Sequence, residues 1–168
     1  KEFLFFSNEF YKEENINIKT SEKIIKVNFE NKTLISSTNN NFTYDQLLIA
    51  TGSSNKKLNI ENLDQNIENE IIYLRDVEES KVIKDRMKSA KEIVIIGGGF
   101  IGLEIASSAA QLGKNVSVVE MGKQLMGRAI PKEIANIVQV IHEENGSKFY
   151  LENNIKKITK NNNSFQIL

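Results

Sequence analysis

Apolar positions along the chain come in short bursts up to about residue 50 and in longer, alternating strand-like and helix-like patterns after about residue 75. In the first part, Ile16–Lys19, Ile24–Phe29 and Thr33–Ser36 predict short strands, with a polar turn at Asn39–Asn41. Leu47–Ala50 is a continuous apolar run ending at Thr51-Gly52, the pattern of a buried strand that stops at a tight turn. Residues 53–70 are polar and rich in Asn and Glu, and read as a linker.

The second part begins with a helix. Asp76 and Glu79 have capping-box spacing, and Val82, Ile83 and Met87 form a one-sided apolar stripe. Ile93–Ile96 predicts a buried strand, and the cluster Gly97–Gly102 opens a second helix that Gly113 closes. Val116–Val119 is the next strand. Pro131 begins a third helix, with Ile134, Ile137, Val138 and Ile141 at helical spacing and Gly146 after it. Lys148–Leu151, Ile155–Thr159 and Ser164–Leu168 read as further strands. The order is strands, linker, a βαβ unit with another helix, then strands, and the boundary is placed near Asp76.

Composition narrows the chemistry. The 168 residues carry 22 basic and 22 acidic side chains, so no strong charge draws the chain to nucleic acid or an anionic membrane. Cysteine is absent and His142 is the single histidine, which removes disulfides, a redox dithiol and thiolate or His-rich metal sites from these residues. No metal site is expected. His142, late in the third helix, is read as structural, facing the helix's last carbonyls. The absence of an export or membrane-spanning segment leads to an expected cytoplasmic location. A chain starting at Lys1 without Met and ending in the apolar run Phe165–Leu168 is expected to be a central piece of a longer one.

The sharpest motif is IVIIGGGFIGLEIA, with Gly97, Gly99 and Gly102 in GxGxxG spacing. The first glycine allows the turn off the strand, the second lets a pyrophosphate approach, and the third lets helix and strand pack closely. The loop as a whole, with Gly98, Phe100 and Ile101, would present N–H groups and the helix dipole to phosphates. The second strand ends at Glu120, about twenty residues on, where this fold sets an acid against the adenosine ribose and disfavours a 2′-phosphate. NADH is therefore expected over NADPH, with Lys123 the nearest base. Read alone, the loop is also a plain strand–helix turn and Glu120 a solvated strand end. The two together signal a dinucleotide without deciding between NAD and FAD.

The segments YDQLLIATGSS, YLRDVEES, IVIIGGGFIGLEIASSAAQLGKNVSVVE and LMGRAIPKEI…IHEENG follow one another in an order that resembles the FAD-dependent pyridine nucleotide-disulfide oxidoreductases. Within them the ferredoxin and rubredoxin reductases are most similar. That resemblance implies a three-layer α/β, Rossmann-like FAD/NAD(P)-binding fold. Residues 1–75 would be part of a FAD domain with its crossover linker, and residues 76–168 an NADH domain truncated at its C-terminal end. It implies that Ala50, Thr51 and Gly52 line the flavin nucleotide, that Ile24 offers backbone contacts to the FAD adenosine, and that Arg75 reaches the FAD. On the NADH side it implies Glu104 near the nicotinamide carboxamide, as the residue closest to the chemistry, and Arg128 near the adenosine phosphate. Read without the family, Thr51-Gly52 is a turn, Arg75 and Arg128 are surface cations, and Glu104, so near the start of a helix, compensates the dipole.

The implied activity is an NADH-dependent flavoprotein reductase with FAD and NAD as cofactors and a ferredoxin- or rubredoxin-like acceptor as partner. An NADH oxidase, a nitrite reductase flavin subunit, a disulfide reductase and a non-catalytic nucleotide-binding remnant are the alternatives. The family's flavin-binding glycine loop and its later flavin-contacting and interface segments are absent from the chain.

Overall fold

A computed structural model describes residues 6–127, 129–162 and 164–168. Two compact units divide it, one reaching to Gly52 and one beginning at Ser53.

The first unit opens with a short helix, α1 (Asn8–Glu13), capped by the Ser7 side chain, which accepts the Phe10 N–H. Strands β1 (Ile24–Asn28), β2 (Thr33–Ser36) and β3 (Asn41–Thr43) follow as an antiparallel meander in the order β1-β2-β3. Asn39, at φ 63, takes the left-handed turn conformation that asparagine tolerates. The turn is braced from Glu22, whose carboxylate accepts from the Thr38 hydroxyl and the Asn40 amide, each at 2.6 Å. The pairing slips between Ile24 and Lys26, a bulge on β1.

Two expected strands are not formed here. Ile16–Lys19 is irregular, and so is Leu47–Ala50, where Leu48 is 88% exposed. An apolar run becomes a strand only when a neighbour completes its hydrogen-bond ladder, and among the described residues none pairs with it. The helix α1, conversely, lies in a stretch expected to hold strands only.

In the second unit the polar stretch after Ser53 contains one short helix, α2 (Gln65–Glu68), with Asp64 as its cap. Helix α3 (Val77–Ser89) has the expected capping box, Asp76 accepting the Glu79 N–H while Glu79 accepts the Asp76 N–H. Strands β4 (Glu92–Ile96), β5 (Asn115–Val119) and β6 (Ser147–Tyr150) make a parallel sheet in that order, with helix α4 (Phe100–Gln111) and helix α5 (Lys132–Glu144) in the two crossovers. Strands β7 (Ile158–Asn161) and β8 (Ser164–Ile167) form a separate hairpin.

The core lies on one face of the parallel sheet, where Val116 and Val118 meet Ala106 and Ala109 of α4 and Met87 of α3. The small α4 side chains let helix and sheet approach closely. On the other face Val94, Val119 and Tyr150 look across a cavity of about 280 Å³ toward Ile155, Phe165 and Ile167. Of the α3 stripe, Met87 is buried and Val82 is exposed. The α5 stripe is also outward: Ile134, Ile137 and Ile141 are exposed, and the buried residue of that helix is Ala135.

Candidate functional site

Parallel strands point their C-terminal ends to one side, and a ligand of this fold sits there. At the end of β4 the chain turns at Gly97, whose φ of 109 suits glycine alone, while its N–H still donates to the Val119 carbonyl. Helix α4 begins three residues later. A Cβ on Gly102 would collide with the Gly97 carbonyl oxygen, so the third glycine of the motif is required by backbone packing. A Cβ on Gly99 would meet nothing within 4 Å, which leaves open space where a phosphate would approach.

The start of α4 suits an anion. Among the described residues no side chain caps it, and its first turn holds no acid. The N–H groups of Phe100, Ile101 and Gly102 precede the first intrahelical bond, which runs from Leu103 to Gly99. Such amides, with the helix dipole behind them, attract phosphate oxygens. Glu104 is the fifth residue of α4 and exposed. It sits in the second turn, beyond the free amides of the helix start.

Glu120 stands immediately after β5, and its backbone is fixed from β6: its N–H donates to the Tyr150 carbonyl and its carbonyl accepts from Asn153. Its side chain turns back to the glycine loop. One carboxylate oxygen accepts the Gly98 N–H at 2.7 Å and the other the Gly122 N–H at 2.7 Å. A carboxylate has about four acceptor positions, so two further donors can still be received. Gly98 has little left to offer a phosphate, because its one N–H is already given to Glu120; its carbonyl accepts the Met126 N–H at 2.9 Å.

The loop from β5 to α5 closes over this point. Leu125, fully buried, lies 2.7 Å from where a Gly98 Cβ would stand. The only sequence signal of this is the apolar pair Leu125-Met126, which a loop that also holds Met121, Ala129 and Ile130 does not set apart. Arg128, on the same loop, lies outside the described residues.

The residues assigned to the flavin fall in different settings. Ile24 opens β1, the edge strand of its meander, and among the described residues only its β2 side is paired. Ala50 and Thr51 are exposed in irregular chain, and Gly52 has a φ of 69. In the second unit, the Arg75 Nε donates to the Ser53 carbonyl at 3.1 Å. Arg75 thus holds the residue that follows Gly52 in the chain. Glu79 secures the same corner, receiving the Asn55 amide at 3.3 Å as well as the Arg75 and Asp76 N–H groups. His142 does not turn to the helix-end carbonyls; its ring stands edge-on to Phe149 of β6, 5.9 Å between centroids, and burial lowers its pKa below the usual 6.5.

Among the described residues no cluster of three or more His, Cys, Asp or Glu converges as a metal site, and no helix is long and apolar enough to cross a membrane.

A glycine turn on a parallel strand, an uncapped helix behind it and an acid at the end of the neighbouring strand define a Rossmann-like α/β dinucleotide fold. The family model for pyridine nucleotide-disulphide oxidoreductases matches residues 5–168, and the chain belongs to that family. It is 32% identical over 155 residues to the ferredoxin–NAD(+) reductase component of 3-phenylpropionate/cinnamic acid dioxygenase from Photorhabdus laumondii, covering 92% of this chain and 39% of that one. The rubredoxin–NAD(+) reductase of Pseudomonas putida is 30% identical over 153 residues, covering 91% and 39%. Among solved structures, the ferredoxin reductase for the CYP199A2 system of Rhodopseudomonas palustris superposes with a TM-score of 0.84 at 28% identity, covering 96% of this chain and 39% of that one. The chain therefore spans about two fifths of the length of the relatives it matches.

Proposed function

We propose that this chain is the NADH-binding half, with part of the FAD-binding half, of a flavoprotein reductase that passes electrons to a ferredoxin- or rubredoxin-like protein. The observation carrying this reading is the pairing of the open α4 N-terminus with Glu120, joined through Gly98. The names of the two relatives and of the solved reductase support the acceptor class. In this reading the Phe100, Ile101 and Gly102 amides hold the NADH pyrophosphate. Glu120 receives the ribose hydroxyls on its two remaining acceptor positions and repels a 2′-phosphate. Glu104 borders the nicotinamide end, and Arg128 meets the adenosine phosphate.

On the flavin side, Ala50, Thr51 and Gly52 line the nucleotide, the open edge of β1 gives Ile24 a free backbone for the adenosine, and Arg75 orients the crossover through Ser53. The domain boundary is drawn near Asp76, where the capping box starts α3. Bound FAD would supply the chemistry, taking a hydride from NADH and releasing electrons singly. The chain's own contribution is to bind and orient. A cytoplasmic location fits the supply of both cofactors.

The test is a titration of the chain and of Glu120→Ala with NADH and NADPH. The expected result is saturable NADH binding with NADH preferred, and loss of that preference in the variant. Absence of saturable binding, or an unchanged preference, would overturn the reading. A second measurement addresses flavin: FAD is added, free flavin removed, and the visible spectrum recorded before and after anaerobic NADH. Retained flavin that bleaches assigns both sites to these residues, and a colourless protein assigns the flavin site to a longer chain.

A further inference from the structure

We propose that Gly98 is a latch point and that, through it, Leu125 and Met126 are positioning residues for the adenosine half of the dinucleotide. The proposal rests on the NADH-binding reading above. Both backbone groups of Gly98 are committed, the N–H to Glu120 at 2.7 Å and the carbonyl to Met126 at 2.9 Å. The space beside its Cα is filled by Leu125, which would be only 2.7 Å from an added Cβ. Leu125 is fully buried yet stands outside the cluster of Met87, Ala106, Ala109, Val116 and Val118 that forms the core. Its burial instead fastens the β5–α5 loop to the glycine loop.

The backbone supports the same conclusion. Met126 has a φ of 49, a left-handed conformation that a non-glycine residue adopts at a cost. That conformation accompanies the bond from its N–H to Gly98, and its own carbonyl then receives the Ala129 N–H at 2.8 Å. The loop is also tied from beyond β6, where the Glu152 N–H donates to the Gly122 carbonyl at 3.0 Å. Glu120, Gly122, Leu125 and Met126 thus move with the glycine loop as one body. The α4 amides and the Glu120 carboxylate are held at a set spacing, as a ligand with a phosphate at one end and a ribose at the other requires. Small misplacements in such a frame cost much of the binding.

The experiment compares the chain with Leu125→Ala and Leu125→Met. The affinities for NADH and ADP-ribose are measured by titration, and exchange of the Met126 amide hydrogen by mass spectrometry or NMR. Leu125→Ala is expected to weaken both ligands by about tenfold or more and to speed Met126 exchange. Leu125→Met, which refills the space, restores both. Should Leu125→Ala fail to fold, Leu125→Val carries the same comparison with a smaller loss of volume. Unchanged ADP-ribose affinity in a folded variant with fast Met126 exchange overturns the positioning role. Unprotected Met126 in the parent overturns the latch. A parent that binds neither ligand but protects Met126 overturns the nucleotide reading while leaving the latch in place.

Discussion

The carboxylate of Glu120 bridges two backbone amides, those of Gly98 and Gly122, with one oxygen on each. This makes the familiar exchange of glutamate for glutamine a severe one. A glutamine amide has one acceptor oxygen, and its NH2 group would face the second backbone N–H. A buried donor left without an acceptor costs about 1–3 kcal/mol. Glu120→Gln is therefore expected to lower NADH affinity by roughly ten- to a hundredfold, although its carbonyl could still receive a ribose hydroxyl. Calorimetric titration checks it; a glutamine variant binding as tightly as the parent would show that the bridge does not shape the site.

Gly102→Ala should be worse tolerated than Gly99→Ala. A methyl at residue 102 meets the Gly97 carbonyl, part of the backbone, whereas one at residue 99 meets nothing within 4 Å. Forcing the first in costs about 1–3 kcal/mol and pushes α4 off β4. The expected result is a lower melting temperature for Gly102→Ala and a near-parental one for Gly99→Ala, with nucleotide binding weakened in both. Equal melting temperatures would contradict it.

Glu79 should matter more than its partner in the capping box. Asp76 caps one amide, whereas Glu79 receives those of Arg75 and Asp76 and the Asn55 side chain. Loss of a cap costs about 1 kcal/mol, so Asp76→Ala should destabilise by that amount. Glu79→Ala should exceed it and also free residues 53–58. Chemical denaturation measures the first effect, and amide exchange at Leu58, whose N–H donates to the Tyr73 hydroxyl at 2.9 Å, measures the second.

Acid should weaken the two units in turn, and His142, in the second unit, acts first. Burial disfavours the charged imidazole, so the folded pKa lies below the ordinary 6.5. The unfolded chain then takes up the proton first. Stability is complete above pH 6.5 and falls as the pH drops from there toward the folded value. His142→Gln should flatten this slope between about pH 5 and 7, read as the change in melting temperature across that range. Glu22 acts later and in the other unit. Hydrogen bonds from Ser36, Thr38 and Asn40 lower its pKa below 4.5, so its contribution is lost only in stronger acid.

Much of this is legible in the sequence. Period and punctuation located the parallel strands and their helices because each burst of Ile and Val meets its neighbours within the chain. The glycine motif and Glu120 were readable because their spacing follows from the crossover itself. Leu47–Ala50 misled because hydrophobicity announces a strand without supplying a partner for it. The helix at Asn8–Glu13 was hidden by aromatic residues that suit either structure, its only local sign being Ser7 ahead of Glu9. The part played by Gly98 could not be read at all. It depends on Glu120 and Leu125 reaching the same point in space, and nothing in a glycine run says which member is enclosed.

The meander and the parallel sheet also differ in how far apart along the chain their partners lie. The meander joins Asn28 to Thr33 and Ile35 to Asn41, whereas the parallel sheet joins Glu92 to Asn115 and Val116 to Ser147. Closing a long loop costs more entropy and slows folding. The hairpins can therefore zip up early, while the parallel strands wait for a helix to form in each crossover. Gly98 and Glu120 meet only once β5 has settled beside β4. The place for a nucleotide is thus a late product of folding, and a chain caught partway would have its turns complete and nothing yet to bind with.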